Sequence, residues 1–165
     1  MIVLGKNPGS ADPGEQVERI PRRAISAHDA LNEALEYGSA FSRGLRVDLP
    51  GATMLLISGT ASVDEHGATA HVGDFCGQTW RTYANITALL EAEGAGWKDV
   101  VRTTCYLRDI ERDYVQFNQI RTEFYRQQGL DPLPASTGIQ ATLCRPDLLI
   151  EIEVMAIIPA GRTTT

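Results

Sequence analysis

The sequence predicts an α+β fold, a mixed β-sheet with two main helices on one of its faces. Two observations carry that prediction. Two long stretches place apolar residues at helical spacing, and the runs around them are continuously apolar or β-branched. Their order along the chain is strands, helix, strand, helix, strand, strand, which suits two helices packed on one side of a single sheet.

Taken in order, a short helix is expected from about Ala27 to Tyr37, with Ser26 as its N-cap and Ala27, Ala30, Leu31, Ala34 and Leu35 as its apolar stripe. Thr53–Ser58 is the first clear strand, and the unbroken run Met54, Leu55, Leu56, Ile57 suits a strand covered on both faces. A helix follows from Asp74 or Gln78 to Glu93. It turns Trp80, Tyr83, Ile86, Thr87, Leu89 and Leu90 inward and stops at Gly94-Ala95-Gly96. Asp99–Leu107 is a strand rich in β-branched residues. The second helix spans about Asp113 to Gln128, with Tyr114, Phe117, Ile120 and Phe124 in the core, Arg121 pointing out and Gly129 ending it.

Asp131-Pro132-Leu133-Pro134 is an extended linker, because each proline disfavours helix at the residue before it. Gly138–Cys144 and Leu148–Ile158 are the final strands, joined through a tight connection at Arg145-Pro146-Asp147. In the last strand Glu151 and Glu153 share one face, and Ile150, Ile152 and Val154 share the other. Two helices cover only one face of such a sheet, yet Met54–Ile57 and Val154–Ile158 are apolar on both. The other face therefore calls for another copy of the chain.

At 165 residues the chain suits one domain, read as residues 21–160, behind a flexible leader over 1–20 that is rich in Gly, Pro and polar residues. The net charge of -6, with arginines and lysines scattered, argues against a nucleic-acid partner. Cys76, Cys105 and Cys144 are few, odd in number and widely spaced, which suits free thiols in a reducing cytoplasm. No signal-peptide core or bilayer-length apolar run is present, so neither secretion nor a membrane partner is expected. His28, His66 and His71 show no metal-ligand spacing.

Several blocks then fall into a pattern. They are Ile57-Ser58-Gly59-Thr60; Gly73-Asp74 with Gln78, Thr82 and Asn85-Ile86; the run from Asp99 to Asp109; Asn118; Pro134-Ala135; and Ile150-Glu151-Ile152-Glu153. Over roughly residues 37 to 158 the chain resembles the Rid/YjgF family, often labelled endoribonuclease L-PSP. The resemblance implies a chorismate-mutase-like fold, a homotrimer around a central β-barrel and ligand clefts between subunits. It also implies hydrolysis of enamines or imines without metal or cofactor. The segments Ser136–Ile139 and Cys144–Glu153 resemble the C-terminal part of chorismatases more narrowly, where a glutamate at the position of Glu151 is the acid.

One departure bears on chemistry. Deaminases of the family carry an arginine directly after Pro-Ala, where this chain has Ser136, and a cleft tyrosine that aligns with Phe41. A guanidinium–carboxylate pair contributes on the order of 1.5–3 kcal/mol per charge-assisted bond, and a hydroxyl does not replace that charge. Glu151 is the candidate proton donor, since a partly desolvated strand carboxylate has a raised pKa. Ser136, Asn118, Phe41, Gly138, Cys144 and Arg145 are candidate ligand contacts, Arg145 being a candidate source of the missing charge. The expected activity is binding or hydrolysis of a small carboxylated metabolite. The alternatives are a non-catalytic metabolite-binding trimer and a chorismatase-like hydrolase. The acidic charge and the absence of a basic groove argue against a ribonuclease.

Overall fold

The computed structural model describes residues 19–28, 31, 40–160 and 162. The leader, apart from its last two residues, and most of the short helix expected near 27–37 lie outside them. Six strands form one sheet: β1 (Arg22–Ile25), β2 (Gly44–Leu49), β3 (Ala52–Ala61), β4 (Val100–Leu107), β5 (Ala135–Gln140) and β6 (Ile150–Pro159). Helix α1 (Phe75–Glu91) lies between β3 and β4, and α2 (Ile110–Gln127) between β4 and β5. The spatial order is β1-β2-β3-β6-β4-β5, antiparallel throughout except for the parallel pair β4 and β5.

Local chemistry sets the helix ends. Asp74 accepts from the Gly77 amide at 3.0 Å and Asp109 from the Arg112 amide at 3.1 Å, so each carboxylate satisfies an amide that its helix leaves open. Gly129, at φ 62°, turns the chain out of α2 in the left-handed conformation that an L side chain disfavours. Alternation then sorts the strands. Leu55 and Ile57 of β3, Cys105 and Leu107 of β4, and Ile150, Ile152 and Val154 of β6 are buried with Tyr83, Leu89, Leu90, Phe117 and Phe124 of the helices. Tyr83 stacks on Phe124 at 4.1 Å, and Trp97 meets Phe124 edge-on at 4.8 Å.

The opposite face carries Met54, Leu56, Glu151, Glu153 and Met155, all half-buried, with Ile139 and Ile157 exposed. Among the described residues no helix packs on this side, as the apolar run in β3 foretold.

Three expectations change. Strands β1 and β2 were not anticipated. The fifth strand begins at Ala135 rather than Gly138, and it does not form a hairpin with β6, because β4 separates the two. The reason is the crossover: α2 carries the chain back to the start of β4, so β5 adds parallel to β4 at the sheet edge. Within α2, Tyr114 is 47% exposed instead of core, and Arg121 folds inward over the Phe117 ring.

Candidate functional site

Register places the candidate residues on two sides of the sheet. Glu151 pairs across β4 with Tyr106, on the face away from the helices, and its carboxylate lies over the bare backbone of Gly59. A Cβ built on Gly59 would stand 1.9 Å from Glu151 Oε1. Gly59 lies in an irregularity of the β3–β6 ladder between Ile57 and Thr60, which opens room for the carboxylate. Burial first, and then the charge of Glu153, raises the Glu151 pKa above the ordinary carboxylate value. Tyr106 is raised too, by burial and then by Glu153. A carboxyl held towards its protonated form, beside a phenol and a second carboxylate, suits proton donation to a basic atom.

On the helix face, Ser136 pairs with Thr103 and Gly138 with Cys105. Thr103 Oγ1 donates to Ser136 Oγ at 3.0 Å. From α2, Arg121 Nη1 donates to the same oxygen at 3.1 Å, and its Nη2 donates to Asn118 Oδ1. The Arg121 guanidinium lies 5.1 Å from the Phe117 ring centroid. Gly138 leaves the wall low: a Cβ there would meet Tyr114 at 3.9 Å. Arg121, Ser136 and Gly138 border an open cleft of about 520 Å³ between α2 and β5, walled further by Tyr114, Tyr125, Leu133 and Pro134.

Asn118, Ser136 and Gly138 are thus brought together, while Glu151 is on the other face of the same sheet. Cys144 is exposed in the loop between β5 and β6. Arg145, half-buried in that loop, donates to the Gly67 carbonyl at 2.6 Å, and its own carbonyl accepts from Arg108. Phe41 is 42% exposed just before β2, with the Arg43 guanidinium 5.7 Å from its ring centroid. Strand β2 is four strand spacings from β5, roughly 19 Å. Arg121, Tyr106 and Gly59 were not singled out as site residues. The alternation that pairs Tyr106 with Glu151 was available in the sequence; the inward turn of Arg121 was not.

The blocks that carry the resemblance mostly tie the chain together. Gln78 is fully buried, donates to the carbonyls of Asp147 (2.8 Å) and His71 (3.3 Å), and accepts from the Leu149 amide at 2.8 Å. Asn85 donates to the carbonyls of Ala61 and Val63, both at 2.9 Å. Among the described residues no three His, Cys, Asp or Glu side chains gather as a metal site. No helix among them is long and apolar enough to cross a membrane.

Comparison with known proteins agrees with this architecture. The family model described as endoribonuclease L-PSP matches residues 32–158. The chain is 34% identical over 103 residues to the 3-aminoacrylate deaminase RutC of Acinetobacter baylyi, covering 62% of this chain and 78% of that protein. A RutC family protein of Pyrococcus abyssi is 29% identical over 116 residues, 70% of this chain and 84% of the relative. Among solved structures, the YjgF gene product of E. coli aligns with a TM-score of 0.68 at 25% identity, over 82% of this chain and 98% of the other. E. coli TdcF, solved with bound serine, aligns at 0.69 and 22% identity, with the same coverage.

Proposed function

The chain belongs to the endoribonuclease L-PSP family, also known as Rid or YjgF, and on that footing we propose that it binds a small carboxylated metabolite and hydrolyses an imine or enamine in clefts between the subunits of a homotrimer. The observation that carries this reading is Glu151. Its carboxyl is held towards the protonated form on a sheet face that α1 and α2 leave uncovered. In this reading a second copy seated there completes a pocket around it, and Phe41, far from β5 within one chain, lines a neighbour's cleft.

In the proposed reaction, protonated Glu151 gives its proton to the imine nitrogen and a water oxygen bonds to the imine carbon. The water returns one proton to Glu151 to give a carbinolamine; Glu151 passes that proton to the amino nitrogen, the carbon–nitrogen bond breaks, ammonia leaves, and the hydroxyl proton returns to Glu151 as the carbonyl forms. No metal or cofactor is part of this scheme. The relative named a 3-aminoacrylate deaminase suggests that compound as a substrate to try beside iminopropanoate.

The test is turnover of both compounds by the wild type and by Glu151→Gln. General acid catalysis contributes about 10²–10⁴-fold, so kcat falls by that range in the variant. Ser136 favours a second reading, a trimer that binds carboxylates without turning them over. That reading predicts no turnover of either compound and no effect of Glu151→Gln. Parallel incubations with chorismate and with single-stranded RNA test the chorismatase-like and ribonuclease readings, and Glu151-dependent loss of either would displace the imine.

A further inference from the structure

We infer that Arg121 is the group that recognises the ligand's carboxylate, reaching from α2 into the cleft beside β5, where Ser136 supplies no charge; this rests on the small-carboxylate reading above. A guanidinium has five N–H donors in a fixed fork. Among the described residues Arg121 uses two of them, on Ser136 Oγ and Asn118 Oδ1, and both acceptors are neutral. The contrast with Arg126 further along the helix is direct: Arg126 is matched by the Glu123 carboxylate at 3.0 and 2.7 Å. No carboxylate lies within ion-pair distance of Arg121 among the described residues. Its charge is nevertheless half-buried and fixed against Phe117. A partly shielded guanidinium whose partners are all neutral has donors left to pair with an arriving anion.

The neighbours of Arg121 complete an oxyanion site. Arginine cannot accept a hydrogen bond, so Ser136 Oγ accepts from Arg121. Thr103 donates to that oxygen as well, which leaves the Ser136 proton to be given to a third group. The Tyr125 hydroxyl, in the wall of the same cleft, is buried beside Thr103. Strand β5 is the sheet edge, so amides on its outer side are not used by β4. The remaining wall mixes the apolar Tyr114, Leu130, Leu133 and Pro134 with Thr122 and the Glu123-paired Arg126, and suits a short body behind the carboxylate. The guanidinium thus comes from the helix, one layer above the strand position of Ser136.

The test is calorimetric titration of the full-length protein, in the assembly it forms, with L-serine and with L-serinamide, whose carboxyl is an uncharged amide. Wild type is expected to bind serine at least tenfold more tightly than serinamide. Arg121→Gln weakens serine by about ten- to a hundredfold and leaves serinamide within about twofold, since paired charge-assisted bonds are lost only for the carboxylate. Arg121→Lys, which keeps the charge without the fork, lies between, and adding Ser136→Arg to Arg121→Gln restores part of the affinity. Unchanged serine binding in Arg121→Gln overturns the proposal. So does equal loss of serine and serinamide in both Arg121 variants, which would mark a structural role. So does a wild type that does not distinguish the two compounds. The outcome for the hydrolase reading is separate: serine binding that depends on Arg121, without imine turnover, leaves this assignment standing and removes the enzyme. Turnover whose KM is unmoved by Arg121→Gln does the reverse.

Discussion

The Glu151 carboxylate rests on the α-carbon of Gly59, and the contact is close along much of the side chain: a Cβ on Gly59 would stand 2.9 Å from Glu151 Cδ and 3.3 Å from Cγ. Gly59 is not in the left-handed region, so the requirement for glycine there is space alone. Gly59→Ala is therefore expected to fold, because the far end of the glutamate can swing away, at a cost of about 1–3 kcal/mol. The displaced carboxyl loses its aim. A misplacement of about 1 Å costs on the order of a hundredfold in rate, so kcat for imine hydrolysis falls by that factor while KM changes by less than about twofold. Steady-state kinetics on the purified variant check it.

The raised pKa of Glu151 has a sign that thermal melts can read. Folded protein holds this proton more tightly than unfolded protein does, so the group's contribution to stability is fully present below the ordinary value of 4.5 and is lost as pH climbs through the folded value. Glutamine does not ionise. Relative to wild type, Glu151→Gln should therefore gain Tm as the pH rises from about 4 to about 8, with the gap smallest at the acid end. A gap that narrows with rising pH would mean that folding lowers the Glu151 pKa instead of raising it.

Gln78 joins α1 to the loop ahead of β6 through both ends of its amide. Gln78→Ala leaves the Leu149 amide and the Asp147 carbonyl without their partner in a fully closed site. The expected loss is about 3 kcal/mol. For a chain of this size that corresponds to roughly 6–12 °C in Tm by scanning calorimetry.

Leu56 and Met155 face each other across β3 and β6 on the side that the helices leave open. Wild type is expected to sediment as a trimer at micromolar concentration. Leu56→Asp, which adds a charge to that surface and removes nothing from the helix-side core, is expected to sediment as a folded monomer with wild-type far-ultraviolet circular dichroism. A monomeric wild type would remove the intersubunit cleft altogether.

How far the sequence disclosed this molecule depended on where each residue's partners lie. The helices and β3, β4 and β6 were legible because their own periodicity matches the burial they achieve, and Asp74 and Asp109 stand where caps are needed. Strand β2 reverses the usual polarity. Arg46 and Asp48 point to the helix side, where Arg46 meets Glu93 at 3.2 Å and Asp48 accepts from Thr53, while Leu45 and Val47 point to the open side. Strand β5 has no buried residue at all; its position is set by the α2 crossover, a long-range effect that no local pattern records. The raised pKa expected of Glu151 was legible because both its strand and its neighbour Glu153 lie within a few residues. Arg121 was not, since its inward turn depends on a small hydroxyl 15 positions later in the chain.

Strand β6 is the last to be synthesised and yet sits in the middle of the sheet, joining β1-β2-β3 on one side to β4-β5 on the other. Neither group can acquire its permanent neighbour until residues 150–159 have left the ribosome. Until then both edges that will flank the final strand are bare, and the nascent chain depends on its own charge or on a chaperone to keep them from pairing with strangers.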